Sequence, residues 1–260
     1  MRPQPVKRAI DVVVSSLLLV AACPLMVLAM ASIWLQDMRS PIYAARRSGR
    51  SNTPFTMYKL RSMVVGADRT GVSSTARDDR RITPVGRFVR ATKLDEVPQL
   101  WNVLKGDMSL VGPRPNVPSE TACYTAAEAR LLDVRPGITD FASIVFADEG
   151  DILAGASDPD LAYNQLIRPG KSRLGLFYVE RAGVFTDLQL IFLTGVAIFS
   201  KSRARSGVAR LLARLGAPGD LIALARRETP LTPQPPPGAV EVVTMPTGSQ
   251  GSTASSGASS

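Results

Sequence analysis

Lys93-Leu94-Asp95-Glu96-Val97-Pro98-Gln99-Leu100-Trp101-Asn102-Val103-Leu104-Lys105-Gly106-Asp107-Met108-Ser109-Leu110-Val111-Gly112-Pro113-Arg114-Pro115 carries the densest information in the chain. Its first half has a helical pattern from Thr92 to Lys105. Leu94, Val97, Trp101 and Leu104 form one stripe, and Asp95, Gln99 and Asn102 fall on another face. Thr92 followed by Asp95 has the form of a capping box, Pro98 loosens the first turns, and Gly106 closes the helix. A short strand, Met108 to Val111, then leads into an arginine held between two prolines. Each proline limits its own backbone and that of its predecessor, so Arg114 is a pre-set guanidinium suited to a phosphate.

Outward from this stretch, the upstream chain is dominated by one apolar run. Val12 to Gln36 carries no formal charge and exceeds the roughly 20 residues needed to cross a bilayer. A cleaved leader is a poor reading, because the run is too long and lacks a clean small-residue exit. A spanning anchor is the plain alternative. Two features favour a re-entrant helix: Pro24 after Cys23 in the middle, and basic residues on both flanks (Lys7 and Arg8 before; Arg39, Arg46, Arg47 and Arg50 after). The positive-inside rule then keeps both ends in the cytoplasm, which a single span does not allow.

The 260 residues have a formal charge of +9 and contain no histidine. That excludes Ser-His triads, histidine bases and histidine-ligated metals, and leaves carboxylates, Lys, Arg and a hard cation to do any chemistry. Cys23 and Cys123 form no CxxC, so a disulfide or zinc framework is not indicated. The basic balance calls for anionic partners. A membrane-tethered nucleic-acid binder is one reading of it, but no helix-turn-helix or RNA-binding motif occurs and no nucleic acid is expected.

The remaining segments read as follows. Phe55 to Arg61 is extended, with Lys59 and Arg61 on one face, and Val64 to Arg81 is an exposed loop. Arg80, Arg81, Arg87 and Arg90 form a basic cluster. Glu120 to Asp133 and Arg173 to Phe199 are helical. Val208 to Arg227 reads as a basic, surface-binding helix interrupted near Gly216-Ala217-Pro218-Gly219. Thr229 to Ser260 is rich in Pro, Gly, Ser and Thr and is expected to be disordered. The domain plan is 1–39 membrane helix with basic flanks, 40–201 catalytic domain, 202–228 basic helical extension and 229–260 tail. The fold class is α+β and predominantly helical, a small cytosolic domain with short strands on an N-terminal re-entrant helix.

Asp95 and Glu96 support two readings. Acidic residues in a first helical turn complement the helix dipole, worth about 0.3–1 kcal/mol. Alternatively, one carboxylate attacks phosphorus to give an acyl phosphate while its neighbour holds Mg²⁺. Successive helical positions point about 100° apart, which suits two separate tasks.

The segments Lys7-Arg8-Ala9-Ile10-Asp11, Pro54 to Met63, Ile82 to Arg90, Leu94 to Ser109, Val111 to Pro115 and Arg135-Pro136-Gly137-Ile138-Thr139 closely resemble the bacterial sugar transferases called monotopic phosphoglycosyl transferases, from about Val6 to Lys201. The resemblance implies transfer of a sugar 1-phosphate from a nucleotide diphosphate sugar, by family habit a UDP-sugar, to polyprenyl (undecaprenyl) phosphate. It implies an inner-membrane, monotopic enzyme on the cytoplasmic face, in contact with inner membrane lipids and starting surface polysaccharide or glycoconjugate assembly. By the same resemblance Asp95 is the nucleophile, Glu96 the Mg²⁺ ligand, and Arg114 a nucleotide-phosphate ligand. Lys59, Arg90 and Arg135 are weaker phosphate or headgroup assignments, with Gln99 and Asn102 beside Asp95 and Lys7 and Arg8 at lipid headgroups. Cys23-Pro24 replaces the family's usual Ser-Pro break, and Asp140-Phe141-Ala142-Ser143 replaces the commoner Gly-Leu-Ala-Gln form in a region expected to shape sugar choice. The other class of reading is a catalytically idle, membrane-anchored nucleotide or lipid binder of the same fold. The sugar, the base, the pathway and homo-oligomer formation are left open.

Overall fold

The computed structural model describes residues 5–70 and 74–244. It is predominantly helical with a few short strands, in keeping with the α+β expectation. Helix α1 (Pro5–Asp37) is 33 residues long and contains Pro24 within it. The helix is therefore continuous through Cys23-Pro24 rather than interrupted there. A proline removes one hydrogen bond and can bend a helix without ending it.

Both ends of α1 are fastened to the same folded body. At the N-terminal end Asp11, 3% exposed, accepts hydrogen bonds from Ser109 Oγ (3.1 Å) and Leu110 N (3.0 Å). Near the other end, Asp37 takes a two-pronged ion pair from Arg61 at 2.6 and 2.7 Å, and Ala29 and Ile33 pack on Leu60 and Val89. Between these anchors Leu17, Leu18, Val20, Leu25, Val27 and Leu28 are exposed.

Strands β1 (Ile42–Ser48) and β2 (Pro54–Leu60) form an antiparallel hairpin. The sequence pattern indicates only its second strand, because β1 alternates weakly. Helix α2 (Pro84–Ala91) starts at Thr83, whose Oγ1 accepts from Gly86 N at 2.9 Å, with Pro84 preset for the first turn. The expected single helix from Thr92 is in fact two pieces. Thr92 closes α2, Lys93 takes a left-handed conformation (φ 59°), and Leu94–Glu96 is a 3₁₀ turn. Pro98 supplies no donor, so α3 runs only from Gln99 to Lys105, ending at Gly106 (φ 90°). This rotates the buried face: Gln99, Leu100, Asn102 and Val103 are inside, while Trp101 is 55% exposed.

Strand β3 (Ser109–Val111) pairs in parallel with β4 (Gly137–Thr139). Gly112 and Gly137 lie back to back: a Cβ on Gly137 would sit 2.1 Å from Gly112 N, and one on Gly112 2.4 Å from Arg135 O. Only glycines permit this approach, and it sets the two Pro-containing turns face to face. Glu120 to Asp133 is not one helix but short pieces at Pro118–Thr121, Ala126–Ala129 and Arg130–Asp133. Helices α4 (Phe141–Val145), α5 (Arg168–Arg181), α6 (Val184–Phe199), α7 (Lys201–Arg214) and α8 (Gly219–Arg226) complete the fold.

The core is built on α4, α5 and α7 with Val103, Met108, Leu110 and Val111. Ala204, Val208, Leu211 and Leu212 of α7 belong to that core, so its apolar face meets protein instead of a membrane surface. Residues 229–244 lack regular structure yet are tied to the body: Thr125 Oγ1 donates to Pro237 O (2.5 Å) and Gln165 Nε2 to Val243 O (2.8 Å). The rest of the expected tail, 245–260, lies outside the described residues.

Candidate active site

Asp95 and Glu96 occupy the 3₁₀ turn between α2 and α3. Arg114 reaches them from the turn after β3. Its Nη2 lies 2.7 Å from Glu96 Oε1 and its Nη1 3.3 Å from Glu96 Oε2. The same Nη1 donates to Ile138 O at 3.1 Å, so β4 holds the guanidinium in place. Lys59, on β2, places its Nζ 3.9 Å from Glu96 Oε1. Three stretches far apart in sequence thus converge on one carboxylate.

The two neighbouring acids are driven in opposite directions. Burial raises Glu96, but the charges of Arg114 and Lys59 and the Arg114 hydrogen bonds outweigh it, holding Glu96 well below the usual carboxylate range. Burial and the adjacent Glu96 push Asp95 up, opposed by Lys59, Lys93 and Arg90. Asp95 Oδ1 is buried without a hydrogen-bond partner among the described residues. Lys59 is pushed down to about 8, by burial first and then by the neighbouring Arg114. Neighbouring carboxylates driven apart in this way are a pattern that recurs at functional sites.

The other expected site residues divide into those near the pair and those used elsewhere. Arg90 stands close enough to act on Asp95. Gln99 is 0% exposed, and neither amide atom has a partner among the described residues. Asn102 is likewise buried, but it works as a structural clamp. Its Oδ1 accepts from Tyr58 N (3.0 Å) and its Nδ2 donates to Thr56 O (2.7 Å) and Asp107 Oδ2 (3.1 Å). Arg135 is exposed, and its motif serves the site through the backbone of Gly137 and Ile138.

Lys7 and Arg8, expected at lipid headgroups, spend their donors on the protein. Lys7 Nζ bonds Asp187 Oδ2 (2.5 Å) and Val111 O (3.0 Å), while Arg8 satisfies the C-terminal carbonyls of α3 at Val103 (2.5 Å) and Leu104 (2.7 Å). These carbonyls lie at the negative end of the helix dipole, which attracts a cation, and Val103 O also accepts from Gly106 N at 3.0 Å. Asp140 caps α4, accepting from Ser143 N (2.7 Å) and Oγ (2.6 Å). At this departure from the family pattern Asp140 thus has a local capping role.

Among the described residues no cluster of three or more His, Cys, Asp or Glu side chains could enclose a metal. Mg²⁺ asks for less, since it keeps waters and takes one or two carboxylates together with substrate phosphates. Asp95, with its unpartnered oxygen, and Glu96 form a donor pair of that kind, although Glu96 would share its charge with Arg114.

One cation beside these residues is not singled out by the sequence. Arg47 reads there only as part of a basic flank, yet it stands within electrostatic reach of Arg114 and Lys59. The signal lies in the strand alternation Tyr43, Ala45, Arg47, but it has meaning only once β1 is recognised.

Residues 2–201 match the bacterial sugar transferase family. The chain is 41% identical over 201 residues to a UDP-glucose:undecaprenyl-phosphate glucose-1-phosphate transferase of Caulobacter vibrioides, covering 76% of this chain and 71% of that protein. It is 37% identical to an undecaprenyl-phosphate glucose phosphotransferase of Komagataeibacter xylinus and 34% identical to an undecaprenyl-phosphate galactose phosphotransferase of Salmonella typhimurium. These matches cover 72% and 76% of this chain but only 35% and 41% of the two longer relatives. With an acidic pair, an arginine and a lysine drawn together by the segments that match, the chain belongs to the bacterial sugar transferase family.

Proposed function

We propose that this chain transfers a sugar 1-phosphate from a UDP-sugar to undecaprenyl phosphate through a covalent intermediate on Asp95. The observation that carries the reading is the Asp95–Glu96 contrast: one carboxylate clamped as an anion, the other buried with an oxygen that has no partner. A poorly solvated carboxylate oxygen is free to attack. In the first step it bonds to the sugar-linked phosphorus. The bond from that phosphorus to the bridging oxygen breaks, and its electron pair leaves with UMP. In the second step an oxygen of undecaprenyl phosphate attacks the same phosphorus, releasing the Asp95 carboxylate and a lipid diphosphate sugar. Arg114 and Lys59 face the donor's phosphates, and Arg90 adds positive potential at Asp95. Glu96 would hold Mg²⁺, which when bound neutralises diphosphate oxygens.

The relatives are named for glucose and for galactose, so the sugar is to be read by experiment. Incubation with undecaprenyl phosphate and a panel of UDP-sugars is expected to release UMP with one or a few donors, and to stop when a chelator removes Mg²⁺. Silence across the whole panel would defeat the reading, and turnover unaffected by the chelator would defeat its metal component.

Lys59 provides a pH test. With its value near 8, its charge is present below that pH and lost above it. We expect kcat/KM for the donor to fall above about pH 8, and the fall to vanish in Lys59→Arg, whose guanidinium does not titrate there. An alkaline limb that survives in Lys59→Arg would assign it to another group.

Helix α1 supports a membrane placement. With both ends docked on one body and apolar side chains exposed between them, the helix is better suited to dipping into one leaflet than to crossing. On α6, Phe185, Phe192 and Phe199 are 84%, 70% and 91% exposed at a spacing that keeps them on one face, a second apolar surface suited to lipid. We read the body as lying on the cytoplasmic face of the inner membrane. In a chain with Cys23 and Cys123 replaced, cysteines at Pro5 and Arg50 should both resist an impermeant reagent added outside spheroplasts. Labelling of one alone would mean a span.

A further inference from the structure

The hairpin register pairs Tyr43 with Lys59, Ala45 with Met57 and Arg47 with Phe55. Strand side chains alternate, so Lys59 and Arg47 share one face, with buried Ala45 and Met57 between their ends. This is the face that presents Lys59 to Glu96. Along β1 the span from Tyr43 to Arg47 is roughly 13 Å at about 3.3 Å per residue. The Arg47 end is sewn to the arginine turn: Ser48 N donates to Asn116 O at 2.9 Å, two residues past Arg114. One face of the hairpin thus carries Lys59 beside the acidic pair and Arg47 at the end joined to the arginine turn.

Arg47 differs from the other two cations. Arg114 and Lys59 share Glu96, whereas Arg47 makes no ion pair or side-chain hydrogen bond among the described residues, and its Nε is buried without an acceptor. A buried donor left unmade costs about 1–3 kcal/mol, more for a charged group, and native proteins keep few of them without a reason. The neighbouring groups do not supply that reason. Burial lowers Arg47 from its ordinary value; Glu120 and Tyr43 oppose this, and Arg114 reinforces it. Glu120, the charge that opposes this most, is itself pushed up by burial, with Arg47 pulling the other way and no ion pair between the two among the described residues. Arg47 feels the charge of Arg114, and its own charge acts in turn on Lys59.

We propose that Arg47 is a third donor-binding cation, one that hydrogen-bonds the phosphate of the departing nucleotide beyond Arg114, on the hairpin face that also carries Lys59. The inference rests on the reading above that the donor is a nucleotide diphosphate sugar. Lys59 and Glu96 mark where the sugar-linked phosphorus meets Asp95. The second phosphorus, which leaves as UMP and gains negative charge as the bridging bond breaks, then lies farther along, between Arg114 and Arg47. A guanidinium fork with no protein partner is matched to that phosphate.

The test compares Arg47→Gln, Arg47→Lys and Glu120→Gln with the unaltered chain, measuring KM for the UDP-sugar, inhibition by UMP, KM for undecaprenyl phosphate and the thermal midpoint. Arg47→Gln should raise donor KM and weaken UMP inhibition together by about ten- to a hundredfold, with the lipid KM unchanged. Arg47→Lys, which keeps the charge but not the fork, should fall between, and it carries the comparison if the glutamine variant does not fold. Glu120→Gln should leave both constants near their original values. Unchanged UMP inhibition in the two Arg47 variants would overturn the assignment. An equal loss in Glu120→Gln would also overturn it, by showing that Arg47 only props Glu120. If the unaltered chain turns over no donor at all, it is the underlying reading that fails.

Discussion

Asp95→Asn should fold normally, release no UMP above background and gain no mass from the donor. Loss of a covalent nucleophile removes about four or more orders of magnitude of turnover, because its two-step route has no substitute. Asparagine keeps the shape of the side chain and removes the charge. The stability effect should run opposite to the activity effect. Asp95 has a raised value in the folded chain, so the folded state binds the more protons above pH 3.8, and stability is lost as pH rises through that window. Asparagine does not titrate, so the variant should be as stable as the unaltered chain, or more so, at neutral pH. Intact-mass measurement on quenched reactions distinguishes the outcomes. The unaltered chain should carry one phosphosugar when the lipid acceptor is withheld, and the variant none. Full turnover by Asp95→Asn would end the covalent reading. A chain that binds UDP-sugar yet never gains mass would be an idle binder of the same fold.

Arg114→Met should damage both activity and folding. It leaves Glu96 largely buried with Lys59 at 3.9 Å as its remaining close cation, and stranding one partner of a buried pair costs about 3–5 kcal/mol. Arg114 is 31% exposed at its side chain, so a loss nearer the lower end is expected. Donor turnover should fall by about two to three orders of magnitude, as when a phosphate-stabilising donor is removed. Combining Arg114→Met with Glu96→Gln separates the two effects. Neutralising the stranded acid should restore much of the stability while activity stays low. A double variant as unstable as Arg114→Met alone would show that the arginine matters by packing or by its bond to Ile138 O, not by its charge.

The site lies where several local rules give way together. Lys93 adopts a left-handed backbone without being glycine, Pro98 interrupts a helical pattern, and Arg47, Asp95 and Gln99 each bury a polar atom without a partner. Such conflicts cost stability in the free chain and are expected at functional positions, because a ligand resolves them. They also explain where the sequence misleads. The stripe of Leu94, Val97, Trp101 and Leu104 assumes one uninterrupted helix, and the turn at Lys93 with the 3₁₀ segment after it rotates the pattern. Trp101 ends outside and Asn102 inside, where it clamps the hairpin in place of lining the site.

By itself the sequence determined the helical bias, the long apolar N-terminal helix, the family and the residues on which the chemistry was expected, because those follow from short-range pattern and local motif. Tertiary structure alone decided their company. It brought Lys59, Glu96 and Arg114 together from three segments and put both ends of α1 on one body. It also turned Lys7, Arg8 and Asn102 into struts and set Arg47 on the same face as Lys59. The physical reason is that charges and hydrogen bonds act through space over a few ångströms, whereas sequence pattern reports only the period of the backbone.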